Sequence, residues 1–583
     1  MITVLSHGKK IRAKKKDNLA DKLHQAGISL NLYCNKRGLC GKCFVEITKG
    51  EKPPPSPREQ SWLKERGLGE SYRLACQYEI GGDLEVIVPV SSAHPEVPIL
   101  PSIMRWAVRP DPAVKKYYLE LLRPDLARPD SLFELIIQAL GARHLKIPLD
   151  LLKDLGGILE KGDFRVTVSV YREKEVIDVE PGNTQGRNFG LAIDVGTTTL
   201  VMELVNCDTG QTLDMEAALN SQVKHGADVI SRISHALAGP KNAAELRELV
   251  LATLNQMIRR LLVRNRVSPA SAYEVVISGN TTMNHLLLGV PIRSLAAAPY
   301  HASFSRLPVL EAQEAGLAVH PRAKTYFAPN IRSFIGGDIA SGLLASRLAS
   351  RRGNFLFIDL GTNGEIVLKA DHELLAASTA AGPAFEGMNI SCGMPALPGA
   401  IYEVEDDGTF RVFTVAGTAA RGICGTGLID VIAIALRRGD IAAGGAIRTA
   451  EKKIPVSETI ALTQEDVRQM QLAAAAVKTG IRMMLKGAGL SVSDLNGIYI
   501  AGAFGSYLNI RNSMEIGLLP GLEQRKVRFI GNSSLAGARL LLLAKQEREK
   551  VESLARKVRY ISLASDPEFQ NTFISALEFR SWA

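Results

Sequence analysis

Four cysteines near the start of the chain have the spacing of a metal-binding site. Cys34, Cys40 and Cys43 give the pattern C-x5-C-x2-C around a glycine-rich loop, and Cys76 follows after 32 residues. Four thiolates can hold two irons bridged by sulfide, and glycines let backbone N–H groups approach the sulfurs. A structural zinc site is the alternative, but zinc normally takes two short ligand pairs, and only Cys40 and Cys43 form one. The pattern therefore predicts a [2Fe-2S] cluster.

The other cysteines do not indicate a disulfide framework. The chain has seven cysteines in all, and Cys207, Cys392 and Cys424 are scattered through its later part. An odd total with one tight cluster argues against paired disulfides. No paired spacing among the later three supports a second cluster.

A second chemical signal is a sequence motif that is repeated in the later part of the chain. GLAIDVGTTTLVMEL spans 190–204 and NFLFIDLGTNGEIVL spans 354–368, so Asp194 and Asp359 each end an apolar strand before a Gly-Thr turn. Facing each other across a cleft, the two carboxylates would hold Mg²⁺ and polarise an attacking water, while the turns would present N–H and hydroxyl groups to phosphate. The predicted phosphate-binding residues are Gly196, Thr197, Thr198, Thr199, Gly361, Thr362 and Asn363.

A second pair of similar segments follows this motif along the chain, one after each copy. VVISGNTTM at 275–283 and IYIAGAFGSY at 498–507 are each an apolar strand that runs into a glycine turn and a helix. In the latter, Gly502 and Gly505 would let an adenosine lie against the backbone. Asp338, in IGGDIAS, is predicted to be a catalytic base or a contact to Mg²⁺-bound water, with helix capping as the alternative.

Two weaker candidate groups remain. Gly425 and Gly427, in CGTGLID, are predicted to contact phosphate or ribose, with a packed helix start as the alternative. His225 and Asp228 would line the cleft, with a structural histidine as the alternative. No Walker sequence Gly-x4-Gly-Lys-Ser/Thr is present, which argues against a P-loop ATPase.

The elements that must position these residues fall into four predicted segments. Residues 1–90 contain short strands and one helix, with Leu19 and Leu23 on one helical face, and predict a β-grasp, ferredoxin-like domain. Five prolines make 91–112 a linker. Residues 113–185 predict a small α+β domain, helical near 119–122 and 132–140, and 186–583 predict a duplicated two-lobed ATPase domain.

Composition places the chain among ordinary globular proteins. It has 46% apolar and 22% charged residues, and a formal net charge of +10. The apolar runs are too short to span a bilayer and the N-terminus lacks a secretory signal, so the cytoplasm is the expected location. Without zinc-finger or aromatic-plus-basic RNA-binding patterns, the positive charge does not predict nucleic-acid binding. The basic cluster at 9–16 is interpreted as a docking surface for an acidic redox partner, with a solvated basic strand as the alternative.

The order of the motifs resembles the superfamily of acetate and sugar kinases, seventy-kilodalton heat-shock proteins and actin, in which two related lobes clamp ATP. The resemblance covers roughly 188–543. It implies an actin-like, ribonuclease H-like fold in which 194–199 is the first phosphate loop, 359–363 the second and 502–505 the adenosine loop. Gly279 and Asn280 look like the inter-lobe hinge element of that superfamily, with a plain helix start as the alternative.

The whole chain is similar to the reductive activators of corrinoid proteins. CNKRGLCGKC, RLACQ, NSQVKHGADVISRI, DVGTTT, DLGTNGE and AGAFGSYL carry this resemblance. It implies a [2Fe-2S] cluster, ATP and Mg²⁺ acting together, with one electron passed to the cob(II)alamin of a corrinoid protein to restore cob(I)alamin. It also implies a separate low-potential electron donor and a homodimer.

Two rival functions stay open from the sequence. The chain could activate another low-potential enzyme, as related ATPases do for acyl-CoA dehydratases, but those carry a cluster held by cysteines within the ATPase itself. A small-molecule kinase with a redox-sensing module is the other rival. A small phosphoryl acceptor would raise ATP turnover in the kinase, whereas an activator would respond to its protein partner.

Overall fold

The computed structural model arranges the described strands into three large sheets and three small ones. The predicted site residues Cys34, Cys40, Thr362 and Gly505 lie outside the described residues, as do residues 91–107 of the predicted linker. The structure describes residues 1–26, 28, 30, 38, 43–65, 68–89, 108–126, 129–142, 144–226, 228–361, 363–502 and 507–582.

The N-terminal unit is a five-stranded sheet with a short helix packed on one face. Its order is β2-β1-β5-β3-β4, with β1 and β5 parallel and the remaining pairs antiparallel. Leu19 and Leu23 are buried in one core with Ile2 and Val4, and this confirms the predicted β-grasp fold. The elements are β1 (Ile2–Val4), β2 (Lys9–Ile11), α1 (Leu19–Gln25), β3 (Phe44–Lys49), α2 (Pro57–Glu65), β4 (Tyr72–Leu74) and β5 (Leu84–Ile87).

A small α+β unit follows, with an antiparallel three-stranded sheet in the order β6-β7-β8. The predicted helix near 119–122 is wrong, because residues 114–120 form a strand that pairs with β7 along its whole length. Leucines of helical spacing were outweighed by aromatic residues and long-range pairing with a valine-rich partner. The elements are β6 (Val114–Glu120), α3 (Leu132–Ala139), α4 (Leu149–Lys161), β7 (Arg165–Tyr171) and β8 (Glu175–Pro181).

The first lobe is built on a six-stranded sheet. Its order is β11-β10-β9-β12-β14-β13, an antiparallel meander of three strands extended by β12 and β14, which run parallel to β9, and by a short antiparallel edge strand, β13. The elements are β9 (Phe189–Val195), β10 (Thr199–Asn206), β11 (Thr212–Leu219), α5 (Val229–Leu237), α6 (Pro240–Arg264), β12 (Ala272–Gly279), α7 (Thr281–Leu288), α8 (Arg293–Ala296), β13 (Leu310–Glu311), α9 (Ala312–Ala315), β14 (Lys324–Phe327) and α10 (Gly337–Ser346).

The second lobe repeats this plan in the order β24-β23-β15-β16-β17-β25. The elements are β15 (Asn354–Leu360), β16 (Gly364–Ala370), β17 (Glu373–Thr379), β18 (Ala400–Asp406), β19 (Phe410–Thr414), β20 (Gly422–Ile423), α11 (Gly425–Arg438), β21 (Lys453–Pro455), β22 (Ala461–Thr463), α12 (Gln464–Gly487), β23 (Leu495–Ala501), α13 (Ile510–Glu515), β24 (Val527–Gly531), α14 (Ser533–Leu543), α15 (Gln546–Lys557), β25 (Val558–Tyr560) and α16 (Phe569–Ala576).

The two lobes meet through a matched pair of helices. Helices α10 and α14 pack side by side, and both have a glycine where they touch. A Cβ on Gly342 would lie 2.6 Å from Ser533 Oγ, and one on Gly537 would lie 2.2 Å from Ser341 O. The core around them draws residues from both large sheets, including Ala192 of β9 and Phe357 of β15. The predicted duplication and actin-like fold are therefore confirmed.

Among the described residues, no helix has both the length and the apolar character needed to cross a bilayer.

Candidate functional site

The two predicted aspartates occupy equivalent places in the two lobes. Asp194 is the next-to-last residue of β9 and lies opposite Ser278 of the parallel strand β12. Asp359 is the next-to-last residue of β15 and lies opposite Ala501 of the parallel strand β23. Each carboxylate therefore stands at the edge of its sheet where a glycine turn follows both strands. This edge is where ligands bind in open α/β sheets.

Asp194 is held by the start of a helix from the other half of the duplicated fold. Asn532 Nδ2 donates to Asp194 Oδ2 at 2.8 Å, and Ser534 Oγ donates to Asp194 Oδ1 at 2.7 Å. Ser534 also contacts Ser278 Oγ at 2.8 Å. Burial raises the pKa of Asp194, and these two hydrogen bonds oppose that rise. The two donors fix the direction in which the carboxylate presents its lone pairs.

Asp338 and Glu365 join the two aspartates in one partly buried acidic cluster. Burial, with repulsion from Asp194, raises the pKa of Asp338 to about 7. Burial, with repulsion from Asp338 and Asp194, raises the pKa of Asp359 to about 7 as well. The pKa of Glu365 rises for the same reasons, burial first and then Asp338 and Asp359. Buried carboxylates that repel one another are ready to bind a divalent cation, which favours their ionised form.

Glu365 is a site residue that sequence reasoning missed. The tight turn between β15 and β16 returns the chain so that Glu365 lies directly opposite Asp359 in the antiparallel ladder. The signal was present, because a glutamate six residues after the aspartate, across a Gly-Thr-Asn-Gly turn, is brought back beside it by a hairpin. Asn532 and Ser534 were also missed, and no pattern near Asp194 could have revealed these partners from the far end of the chain.

The first predicted phosphate loop is a tight turn pinned by side chains. Gly196 N donates to Thr199 O at 3.1 Å. Asn280 Nδ2 donates to Thr197 Oγ1 at 2.9 Å, which places the predicted hinge residue against the loop. Thr198 Oγ1 donates to Glu386 Oε2 at 2.8 Å and thereby links the loop to the second lobe. Glu386 was not predicted from the sequence.

The second predicted phosphate loop has a similar turn in the other lobe. Gly361 N donates to Asn363 O at 3.0 Å. The predicted residue between them, Thr362, lies outside the described residues. Both turns follow an aspartate by two residues, so the two loops are placed alike with respect to the acidic cluster.

Two glycines beside the aspartates are required by close approaches of the backbone. Gly502 has a φ of +91°, and a Cβ there would lie 2.9 Å from Asp359 Oδ1 and 2.8 Å from Leu360 O. A Cβ on Gly279 would lie 2.9 Å from Val195 O. The turns after β12 and β23 therefore pass directly over the ends of the aspartate strands. Gly505, predicted to contact adenosine, lies outside the described residues.

The weaker candidates have structural partners. Gly425 and Gly427 are buried in the first turn of α11, and a Cβ on Gly427 would lie 2.4 Å from Ile401 O. The Asp228 side chain caps α5 by accepting from Ser231 N at 2.8 Å. His225 stacks on His235 with ring centroids 4.0 Å apart. Packing and capping account for these residues, whose contact with a ligand stays a prediction.

The two described cysteines of the N-terminal unit lie side by side. Cys43 directly precedes β3, Cys76 lies in the turn after β4, and Ala75 N donates to Cys43 O at 2.9 Å. Both cysteines are buried. Gln77 Nε2 donates to Cys76 Sγ at 3.5 Å, the kind of hydrogen bond that tunes a cluster. Gly38, with a φ of +66°, lies where a Cβ would be 3.2 Å from Gln77 Cδ. These residues fit a thiolate-bound cluster; Cys34 and Cys40 lie outside the described residues.

Comparisons with known proteins agree with this arrangement along nearly the whole chain. Residues 2–80 match the model of a 2Fe-2S iron-sulfur cluster binding domain. Residues 106–186 match the RACo linker region, 189–351 the RACo middle region, and 353–582 the C-terminal, ASKHA domain of RACo. The corrinoid activation enzyme RamQ of Eubacterium limosum is 32% identical over 587 aligned residues, which cover 95% of each chain.

The chain belongs to the family of reductive activators of corrinoid proteins. A second relative, the [Co(II) methylated amine-specific corrinoid protein] reductase of Methanosarcina barkeri, is 27% identical over 67% of this chain and 77% of its own. A solved structure, described as a reductive activator for corrinoid, iron-sulfur protein, shares 33% identity. Its TM-score is 0.76, with coverage of 100% of this chain and 98% of that one. The predicted family, iron-sulfur domain and ATPase-type domain are confirmed.

Proposed function

We propose that this chain uses ATP hydrolysis to pass single electrons from its [2Fe-2S] cluster to the cob(II)alamin of a corrinoid protein, and so regenerates cob(I)alamin. The observation that carries the proposal is the union, in one chain, of two buried cysteines in the N-terminal unit with a partly buried four-carboxylate site where the two lobes meet. The names of the two relatives, a corrinoid activation enzyme and a Co(II) corrinoid protein reductase, support cobalt as the acceptor.

The energetic need for ATP follows from the chemistry of the two centres. A [2Fe-2S] cluster of the plant ferredoxin type supplies one electron at a time at about −400 mV. If the cobalt couple lies lower by roughly 120 mV, a one-electron transfer is unfavourable by about a hundredfold, since about 59 mV corresponds to tenfold. ATP binding and hydrolysis can offset such a gap only by changing a state of the complex in which the electron moves. A separate low-potential donor must reduce the cluster again after each turnover.

The residues of the acidic cluster have distinct parts in this proposal. Asp194, oriented by Asn532 and Ser534, and Asp359 would hold Mg²⁺, which neutralises phosphate charge when bound. Asp338, whose pKa is about 7, is suited to accept a proton from the attacking water near neutral pH. Lobe closure would be sensed through the contact between Thr198 and Glu386, which joins the first phosphate loop to the second lobe.

The test separates the two halves of the chain in a steady-state assay. Cob(II)alamin loss is followed spectroscopically with a corrinoid protein, a fixed electron donor, and ATP present or absent. Asp359→Asn should abolish the ATP-dependent part while the cluster spectrum stays intact, and Cys76→Ser should lose the cluster spectrum while ATP hydrolysis persists. Asp407→Asn, in an exposed hairpin turn, and Cys207→Ser, a buried cysteine outside the cluster, are the matched controls. A yield of cob(I)alamin independent of ATP would refute the coupling.

A further inference from the structure

A fully buried arginine lies directly behind the first phosphate loop. Arg232, on α5, is 0% exposed. Its guanidinium donates to Thr197 O in the loop, to Gly226 O at 3.0 Å and to Gln222 Oε1 at 3.2 Å. It also contacts Met283 Sδ at 3.1 Å. All four partners are uncharged, so the side chain is hydrogen-bonded but its positive charge is not neutralised by them.

The nearest acidic groups are occupied elsewhere. Within the described part of the chain, no carboxylate forms an ion pair with Arg232, and Asp228 instead accepts from Ser231 N and Oγ at 2.8 and 2.7 Å. Glu386 accepts from Thr198. Burial lowers the pKa of Arg232 to about 9, although Asp228 and Glu386 oppose the shift, so the group is still charged at neutral pH. A buried cation that has nearby carboxylates but no direct ion pair is costly, and its charge is available to attract an anionic ligand.

The hydrogen bond to Thr197 O also fixes the direction of the loop. In a trans peptide the carbonyl and the following N–H point to opposite sides. Because Arg232 draws the Thr197 carbonyl inward, the N–H of Thr198 is directed away from the arginine. Asn220 Nδ2 holds Gly196 O at 2.9 Å, and Asn280 Nδ2 holds Thr197 Oγ1 at 2.9 Å. Three side chains thus hold the turn in place, through Gly196 O, Thr197 O and Thr197 Oγ1.

We propose that Arg232 is a positioning residue for the phosphates of ATP. Its charge supplies the positive potential beneath the loop, and its hydrogen bond to Thr197 O holds the Thr197–Thr198 peptide with the N–H directed at the phosphate oxygens. Arg232 acts through the loop and does not touch the nucleotide. This inference rests on the proposed ATP-binding function, and it assigns a part to the segment NSQVKHGADVISRI, whose Asn220, Gln222 and Arg232 all lie in this support.

The proposal is tested by comparing ligands that differ in phosphate charge. Binding of ATP, ADP and adenosine to the full, cluster-loaded chain is measured calorimetrically for the unaltered chain and for Arg232→Met, Arg232→Gln and Arg232→Lys. Arg539→Met removes another largely buried arginine, which pairs with Glu203 outside the loop, and is the control. Removal of the Arg232 charge should weaken ATP binding on the order of 10- to 100-fold, ADP binding by less, and adenosine binding little. Arg232→Lys should restore most of the preference for ATP over adenosine.

The measurements distinguish a purely structural role of Arg232 from failure of the proposed ATP-binding function. If Arg232→Gln, or Arg232→Met where it folds, weakens ATP and adenosine binding by the same factor, or weakens neither, the arginine is only structural and the inference is overturned. It is also overturned if Arg232→Lys loses the preference for ATP as fully as the uncharged variants. Absence of ATP binding by the unaltered chain would instead refute the proposed function itself.

Discussion

Replacing Gly502 by alanine is expected to disturb the site through one carboxylate. Gly502 has a φ of +91°, and a Cβ there would lie 2.9 Å from Asp359 Oδ1. The same Cβ would lie 2.8 Å from Leu360 O, in the strand that carries Asp359. An ordinary contact needs about 3.5 Å, so the carboxylate and the end of its strand must move by roughly 0.5 Å. A misplacement of 1 Å at a reacting centre can cost about a hundredfold in rate, and we therefore expect ATP turnover to fall roughly tenfold. The positive φ separately costs about 1–2 kcal/mol of unfolding free energy.

Gly439 provides a control that isolates the contact from the backbone strain. It ends α11 with a φ of +81°, and a Cβ there would meet no atom within 4 Å. Gly439→Ala should therefore lose a similar amount of stability in a denaturant titration and retain full ATP turnover. Equal turnover in Gly502→Ala and Gly439→Ala would refute the reasoning, because it would mean that the position of Asp359 does not matter.

Three further predictions concern buried charge. Because burial and repulsion raise the pKa of Asp359 to about 7, protons compete with Mg²⁺ for this carboxylate, and calorimetric Mg²⁺ affinity without nucleotide should rise about tenfold from pH 6 to pH 8. Without Mg²⁺, the free energy of unfolding should fall as pH rises from about 4 to about 7, because in this range Asp338 and Asp359 keep their protons only in the folded chain. A free energy of unfolding that did not change with pH would contradict the acidic cluster. Arg548 and Glu274 form a fully buried ion pair, so Glu274→Gln should cost about 3–5 kcal/mol in denaturant titration, whereas Arg548→Met with Glu274→Met should cost less than the sum of the single changes.

The duplicated strands were predictable because their pattern is local. The apolar run before Asp194 and the one before Asp359 each end in Gly-Thr, and the structure gives both the same place in equivalent sheets. The buried face of α1, with Leu19 and Leu23, was predictable for the same reason. These features depend on residues close together in sequence, where periodicity and turn chemistry decide the outcome.

The parts that the sequence did not reveal depend on contacts between distant segments. The strand Val114–Glu120 was expected to be partly helical, and only its pairing with β7 makes it a strand. The hydrogen-bond donors to Asp194 are Asn532 and Ser534, which follow it in the chain by 338 and 340 positions. Arg232 likewise reads as an ordinary helical arginine until the fold places it behind Thr197. Such partners are set by how distant segments pack in the fold, which no local pattern encodes.

The most direct test of the central claim is a single turnover without an external donor. The chain is reduced at its [2Fe-2S] cluster, excess reductant is removed, and the cob(II)alamin form of a corrinoid protein is added with or without ATP. We expect one cobalt to be reduced for each cluster oxidised, and to a substantial extent only with ATP. Equal cobalt reduction without ATP, or ATP hydrolysis with no oxidation of the cluster, would contradict this claim.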